Sequence, residues 1–273
     1  MSHQIFLSSL SVLIALVCGS LSLSALPQQQ PSSTAAAPVQ ARRAEPPPVN
    51  ATPAQLELRG DELSAQKFYA DALDYYRAAV TKGEDNATLE NKIGIAELQM
   101  MRYGDAKKSF ERAIKLDRHY AEAYNNLGVI QYLHRKYGKA IKDYQKAIQM
   151  RETSASFHSN LGTAYFSRKE YEKASAEYSR ALQLDPDIFE HRSSAGIAAQ
   201  MASPEDRAHY SYVIAKMYAR LGNPERSLQY LKKSMEEGYS DIGNVYKDEE
   251  FAALRQDKRF AELMASKPVT LPN

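Results

Sequence analysis

Histidines, carboxylates and thiols are the side chains from which an active site or a metal centre is built, and in this chain they stand apart from one another. The six histidines are His3, His119, His134, His158, His191 and His209. None has a second histidine or a cysteine at the spacing that sets two ligands on one helix face, and no HExxH occurs. Cys18 is the single cysteine, which excludes a disulfide framework and a thiolate zinc site. There is no GxSxG elbow, no GxGxxG and no phosphate-cradling GxxxxGK. The acidic pairs Glu236–Glu237 and Glu249–Glu250 are neighbours in sequence, so on a helix they point to different sides and read as solvated faces. The expectation is therefore a chain that is not an enzyme, with no cofactor and no metal.

Composition narrows the partners in the same way. Lys plus Arg number 35 against 33 Asp plus Glu in 273 residues, and this +2, spread along residues 42–273, gives no reason to expect nucleic acid or an anionic membrane. A mean hydropathy of -0.52 describes a water-soluble body, so any membrane-spanning segment belongs at the extreme N-terminus.

What the sequence does contain is a period. Gly60, Gly94, Gly128, Gly162 and Gly196 follow one another at 34 residues, as do Ala72, Ala106, Ala140, Ala174 and Ala208. Tyr76, Phe110, Tyr144, Tyr178 and Tyr212 make an aromatic column, and Ala79, Ala113, Ala147, Ala181 and Ala215 an alanine column. Another column, Tyr69, Tyr103, Tyr137 and Tyr171, fails only at Glu205. Within each unit apolar residues recur at i, i+3, i+4 and i+7, as in Ala174, Tyr178, Ala181 and Leu182, which predicts two amphipathic helices of about 13 residues. Glycine at the eighth position and alanine at the twentieth let the two helices approach closely. The aromatic at the twenty-fourth is expected to fill the space against the next unit, so that stacking buries a continuous core.

These columns resemble the tetratricopeptide (TPR) repeat over residues 53–222, in units 53–86, 87–120, 121–154, 155–188 and 189–222. Leu161, Gly162, Tyr165, Ala174, Tyr178, Ala181 and Pro186 carry the pattern best. The family's early Trp is Tyr124 or His158 here, and its closing Pro is absent except at Pro186. The resemblance implies an all-α fold, a right-handed superhelical solenoid, whose concave face is lined by first helices. The expected ligand groove is Asn91, Ile95, Leu98, Asn125, Asn126, Val129, Tyr132, Leu133, Ser159, Asn160, Thr163 and Phe166. Its asparagines would pair with the backbone of an extended peptide, or else make structural hydrogen bonds, and Tyr132 and Phe166 would be partly exposed apolar anchors. Asn126 and Asn160 resemble the asparagine ladder of the TPR glycosyltransferases, interrupted by Lys92. The chaperone-tail carboxylate clamp does not fit, since its Lys and Asn positions are Asn91 and Ile95 in repeat 2 and Ser159 and Thr163 in repeat 4. The function expected is a non-catalytic scaffold for a protein or peptide ligand. The alternative is an accessory or regulatory subunit of an envelope enzyme or of secretion or polysaccharide machinery.

The two ends read differently. IFLSSLSVLIALV at 5–17, followed by small residues, resembles a signal peptide cleaved near 20–25, without basic residues before it. Export to a periplasm or secretion is expected for residues 1–25, with an N-terminal membrane anchor as the alternative. Residues 26–52 hold six prolines among Gln, Ser and Ala and are expected to be a disordered linker. Residues 208–221 fit the second helix of repeat 5 and equally the first helix of a degenerate sixth hairpin, whose second helix is 225–237. DEEFAALR and DKRFAELMA, with Asp248 and Asp257 as N-caps, are expected to cap the solenoid. This tail resembles the closing segment of bacterial TPR proteins.

Overall fold

The computed structural model describes residues 45–83, 85–190 and 204–266. The signal or anchor segment 1–25 and all of the linker before residue 45 lie outside these residues, as does most of the first helix expected in repeat 5. Residues 45–52, read as the end of the linker, are held against the second helix: the Tyr75 hydroxyl donates to the Glu45 carbonyl at 2.9 Å and Lys82 Nζ to that of Ala51 at 2.6 Å.

Among the described residues the structure is helical throughout, with no strand. Four hairpins follow in order: α1 (Pro53–Ala65) with α2 (Tyr69–Thr81), α3 (Ala87–Gln99) with α4 (Tyr103–Leu116), α5 (Ala121–Leu133) with α6 (Tyr137–Met150), and α7 (Ala155–Ser167) with α8 (Tyr171–Leu184). A fifth pairs α9 (Pro204–Arg220) with α10 (Pro224–Glu236). Each second helix of the first three hairpins also packs on the first helix that follows, so every unit completes its neighbour's core. The array starts sharply because Thr52 caps α1. Its hydroxyl accepts from the Gln55 amide while the Gln55 side chain accepts from the Thr52 amide, with Pro53 in the first turn.

The turn inside each hairpin repeats one device. Lys67, Met101, Arg135 and Lys169, each 34 residues on from the last, have φ between 58° and 67°. The amide after each reaches a carbonyl five residues back, Phe68 to Leu63 and Lys136 to Gln131, both at 2.8 Å. This is the left-handed helix cap that glycine favours, filled here by side chains that strain to adopt it. In the fifth hairpin Gly222 takes the position at φ 69°. Met101→Gly is therefore expected to raise stability by up to about 1 kcal/mol, because Met101 is 72% exposed and loses little packing. Thermal melts of the two chains check it.

The glycine column is explained by its own hairpin. A Cβ on Gly60, Gly94, Gly128 or Gly162 would stand 2.4 to 2.6 Å from the ring of Tyr76, Phe110, Tyr144 or Tyr178, respectively. The twenty-fourth-position aromatic thus lies on the glycine of its own unit, and in repeat 4 it also meets the next one as the sequence pattern suggests, with Tyr178 edge-on to Phe189 at 5.6 Å and to Tyr210 at 5.5 Å. The ring covers the bare backbone.

The fifth hairpin shows which of two registers residues 208–221 adopt. α9 behaves as a first helix: Ala215 stands where the others have glycine, Ser227 where they have alanine, and Leu231 where they have the aromatic. The Ser227 hydroxyl donates to the Ala215 carbonyl and Ser234 to that of Ala208, both at 2.8 Å, so each buried hydroxyl is satisfied by the facing helix. Beyond it come three short 3₁₀ turns, Ile242–Tyr246, Glu249–Phe251 and Leu254–Gln256, and α11 (Lys258–Ser266). Phe251, Leu254 and Phe260 are buried. Asp257 supports the start of α11 by accepting from the Arg259 amide at 2.9 Å. Asp248 does not cap. Its carboxylate is taken by the Tyr212 hydroxyl at 2.8 Å and Lys216 at 3.0 Å, which ties the tail to α9, and the segment after it is 3₁₀ where an α-helix was expected.

Candidate functional site

The first helices α1, α3, α5 and α7 bring the same repeat positions into columns, and the columns are joined by hydrogen bonds between residues 35 apart. Asn160 Nδ2 donates to Asn125 Oδ1 at 2.9 Å, Asn125 Nδ2 to Asn126 Oδ1 at 3.2 Å, and Asn126 Nδ2 to Asn91 Oδ1 at 2.9 Å. Four asparagines expected to meet a ligand thus form one chain across three helices, and all four are buried. A carboxamide carries both donors and an acceptor, which is why a run of asparagines can satisfy itself in this way. The chain continues in charged form between the first two units. Lys92 Nζ sits 2.7 Å from both Glu57 Oε1 and Asp61 Oδ2, so the residue that interrupts the asparagine column makes the same 35-residue link with an ion pair.

The apolar part of the expected groove is closed. Tyr132 and Phe166 were expected to be partly exposed, but they are 3% and 1% exposed. The Tyr132 hydroxyl lies 2.9 Å from that of Ser167, its ring tilts against Tyr137, and burial pushes the phenol up to about 12. Phe166 is enclosed by the edges of Tyr171, His209 and Tyr210, rings supplied by the next second helix and by α9. Thr163 accepts from the Tyr178 hydroxyl at 3.2 Å and donates to the Ser159 carbonyl at 2.9 Å. Val129 and Leu98 are buried, Ile95 and Ser159 are half-buried, and Leu133 stays 40% exposed.

Besides Leu133, the end formed by α1 and α3 is open among the described residues. Leu58, at the position where the later units carry Lys92, Asn126 and Asn160, is 62% exposed. Beside it stand the half-buried Glu57 and Asp61 with Lys92 between them. None of these except Lys92 stands out in the sequence, because the leucine breaks the column and the acids look like ordinary surface residues. Among the described residues no group of three or more His, Cys, Asp or Glu is placed to hold a metal ion, and no helix is long and apolar enough to cross a membrane. His158 is buried with two polar partners. Its Nδ1 is 2.7 Å from Glu177 and its Nε2 3.0 Å from the Glu152 carbonyl, a packing role at the family's Trp position.

Three family models, each described as tetratricopeptide repeat, match residues 91–155, 155–188 and 208–237. The chain is a tetratricopeptide repeat protein. The third match covers α9 with α10, the hairpin in which Ala215 and Ser227 replace the usual glycine and alanine. Solved structures share the TPR fold at low identity. A crystal structure of MamA is 22% identical, covering 65% of this chain and 93% of that one, with a TM-score of 0.45. A thermophilic TPR protein of Thermus thermophilus is 18% identical over 78% of this chain and 100% of that one, at 0.49. The APC/C hetero-tetramer Cut9-Hcn1 is 15% identical over 79% of this chain and 36% of that one, at 0.50. The comparison with curated protein sequences finds no match.

Proposed function

We propose that this TPR protein is an interaction scaffold that takes an extended peptide at the open end of its concave face, against α1 and α3. The observation that carries the reading is Leu58, an apolar side chain left 62% exposed in a column whose later members, Lys92, Asn126 and Asn160, each bond to the preceding unit, at Glu57, Asn91 and Asn125. An exposed leucine costs little alone, but next to the Glu57–Lys92–Asp61 cluster it offers an apolar anchor ringed by charge, the composition of a small hot spot. The asparagine chain then serves as a rigid floor that sets the angle between units. In this reading it does not bind ligand backbone, and Tyr132 and Phe166 hold the frame.

The test is site-specific photo-crosslinking in the cell of origin, with the reactive group placed at Leu58 or, as a control on another face, at Leu116, which is 45% exposed. A defined protein adduct at Leu58 and none at Leu116 is the expected outcome, together with its loss in a Lys92→Ala chain. Adducts from Leu116 alone, or equal adducts from both, would remove the open end as the docking place.

A further inference from the structure

The outer face of the third hairpin carries a row of cations, of which Lys146 sits over the Tyr124 ring at 4.3 Å. Arg135 and Lys136 in the turn and Lys139, Lys142 and Lys146 along α6 are all exposed. None of the five is ion-paired with a carboxylate among the described residues. Neighbouring second helices are built differently. On α4, Lys107 meets Glu111 at 3.3 Å and Arg112 meets Glu90 at 3.0 Å, and on α8, Lys173 meets Glu170 at 2.7 Å. The single acid in the row, Asp143, is half-buried, and burial pushes its carboxyl up to about 6 against the pull of Lys146 and Lys139. Lys136, Lys139, Lys142 and Lys146 are spaced by three, three and four residues, so they lie along one side of a helix over about 15 Å. At the N-terminal end the guanidinium of Arg168, itself held by Glu170 at 2.9 Å, closes a shallow depression against Gly138.

We infer that this row is a second interaction surface, separate from the concave face, and that its partner is an acidic polypeptide segment of another molecule. Complementarity of charge along a single file suits a chain that can follow it, with carboxylates at helical or extended spacing. A flat anionic membrane fits less well, because the second helices on either side present exposed acids such as Glu111 and Glu172 to the same surface. The exposed positions of α6 also hold no apolar side chain to enter lipid and no ring on which a base could stack. Residues 1–44, 191–203 and 267–273 contain no Asp or Glu, so none of these stretches supplies such a segment.

The experiment measures anisotropy of a fluorescent oligoglutamate peptide of about ten residues titrated with the full chain, with and without salt at about 0.15 M. The triple variant K136Q/K139Q/K142Q, whose side chains are exposed and unpaired, should keep the melting curve and weaken binding about tenfold or more. The control K107Q/K108Q/K115Q on α4 should stay within about twofold of the parent. Three parallel measurements use phosphatidylserine vesicles, oligothymidylate, and sedimentation of the chain alone. No peptide binding, equal loss from both triples, tighter binding of vesicle or oligonucleotide, or self-association that depends on the row would each overturn the inference.

Discussion

Gly128→Ala is expected to lower stability by about 2 to 3 kcal/mol, the reverse of what alanine does in an ordinary helix interior, where it gains about 1 kcal/mol over glycine. The added methyl would stand 2.5 Å from the Tyr144 ring. That ring is fully buried, so it has no free space into which to turn. Tyr144→Ala alone leaves a cavity in the same place and should cost about 3 to 5 kcal/mol, a large share of the roughly 5 to 15 kcal/mol that holds a domain. The two changes act on one contact, so the double variant should be less destabilised than the sum of the singles by about 1 to 3 kcal/mol. Urea or thermal melts of the four chains close the cycle, and strict additivity would show that ring and glycine do not act as one joint. Tyr144→Phe separates packing from polarity. The hydroxyls of Tyr76 and Tyr178 bond to Asp61 and Thr163 fifteen residues earlier, but at Tyr144 that place is Val129 and the hydroxyl has no partner. Removing it should be neutral or stabilising by about 1 kcal/mol, whereas Val129→Thr should supply the missing acceptor.

The repeat architecture was legible because each of its contacts recurs at 34 residues, so the sequence shows several trials of the same packing. Glycine opposite an aromatic ring is a steric necessity, and necessity repeats. Exposure along the concave face was not legible, because it depends on how closely successive units are wound and on rings from distant helices. His209 and Tyr210 close over Phe166 from α9, more than 40 residues away, and no local pattern announces that. The asparagine chain lay between the two cases. The residues were visible, but whether they face a ligand or one another depends on a 35-residue offset between fifth and sixth positions, which only packed helices reveal. The same offset explains Lys92, which looks like a broken ladder in sequence and is an ion-paired rung in space.

Phe166→Ala therefore becomes a test of winding. Were the ring a ligand anchor on an open groove, its loss would leave the melt almost unchanged and weaken only binding. Enclosed by Tyr171, His209 and Tyr210, it joins the fourth hairpin to α9, and its removal should cost about 3 to 5 kcal/mol and lower the melting temperature by several degrees. Tyr132→Ala should follow it for the same reason, while Tyr132→Phe should lose only the hydrogen bond to Ser167, about 1 kcal/mol. Leu133→Ala, one residue on but 40% exposed, should cost much less than either. Because the fifth hairpin and the tail stack beyond Phe166, hydrogen exchange should show protection lost first in α9 and α10 and retained in α1 to α6. Uniform loss along the whole array would mean that the solenoid folds as one unit, and an unchanged melt would return Phe166 to the ligand face.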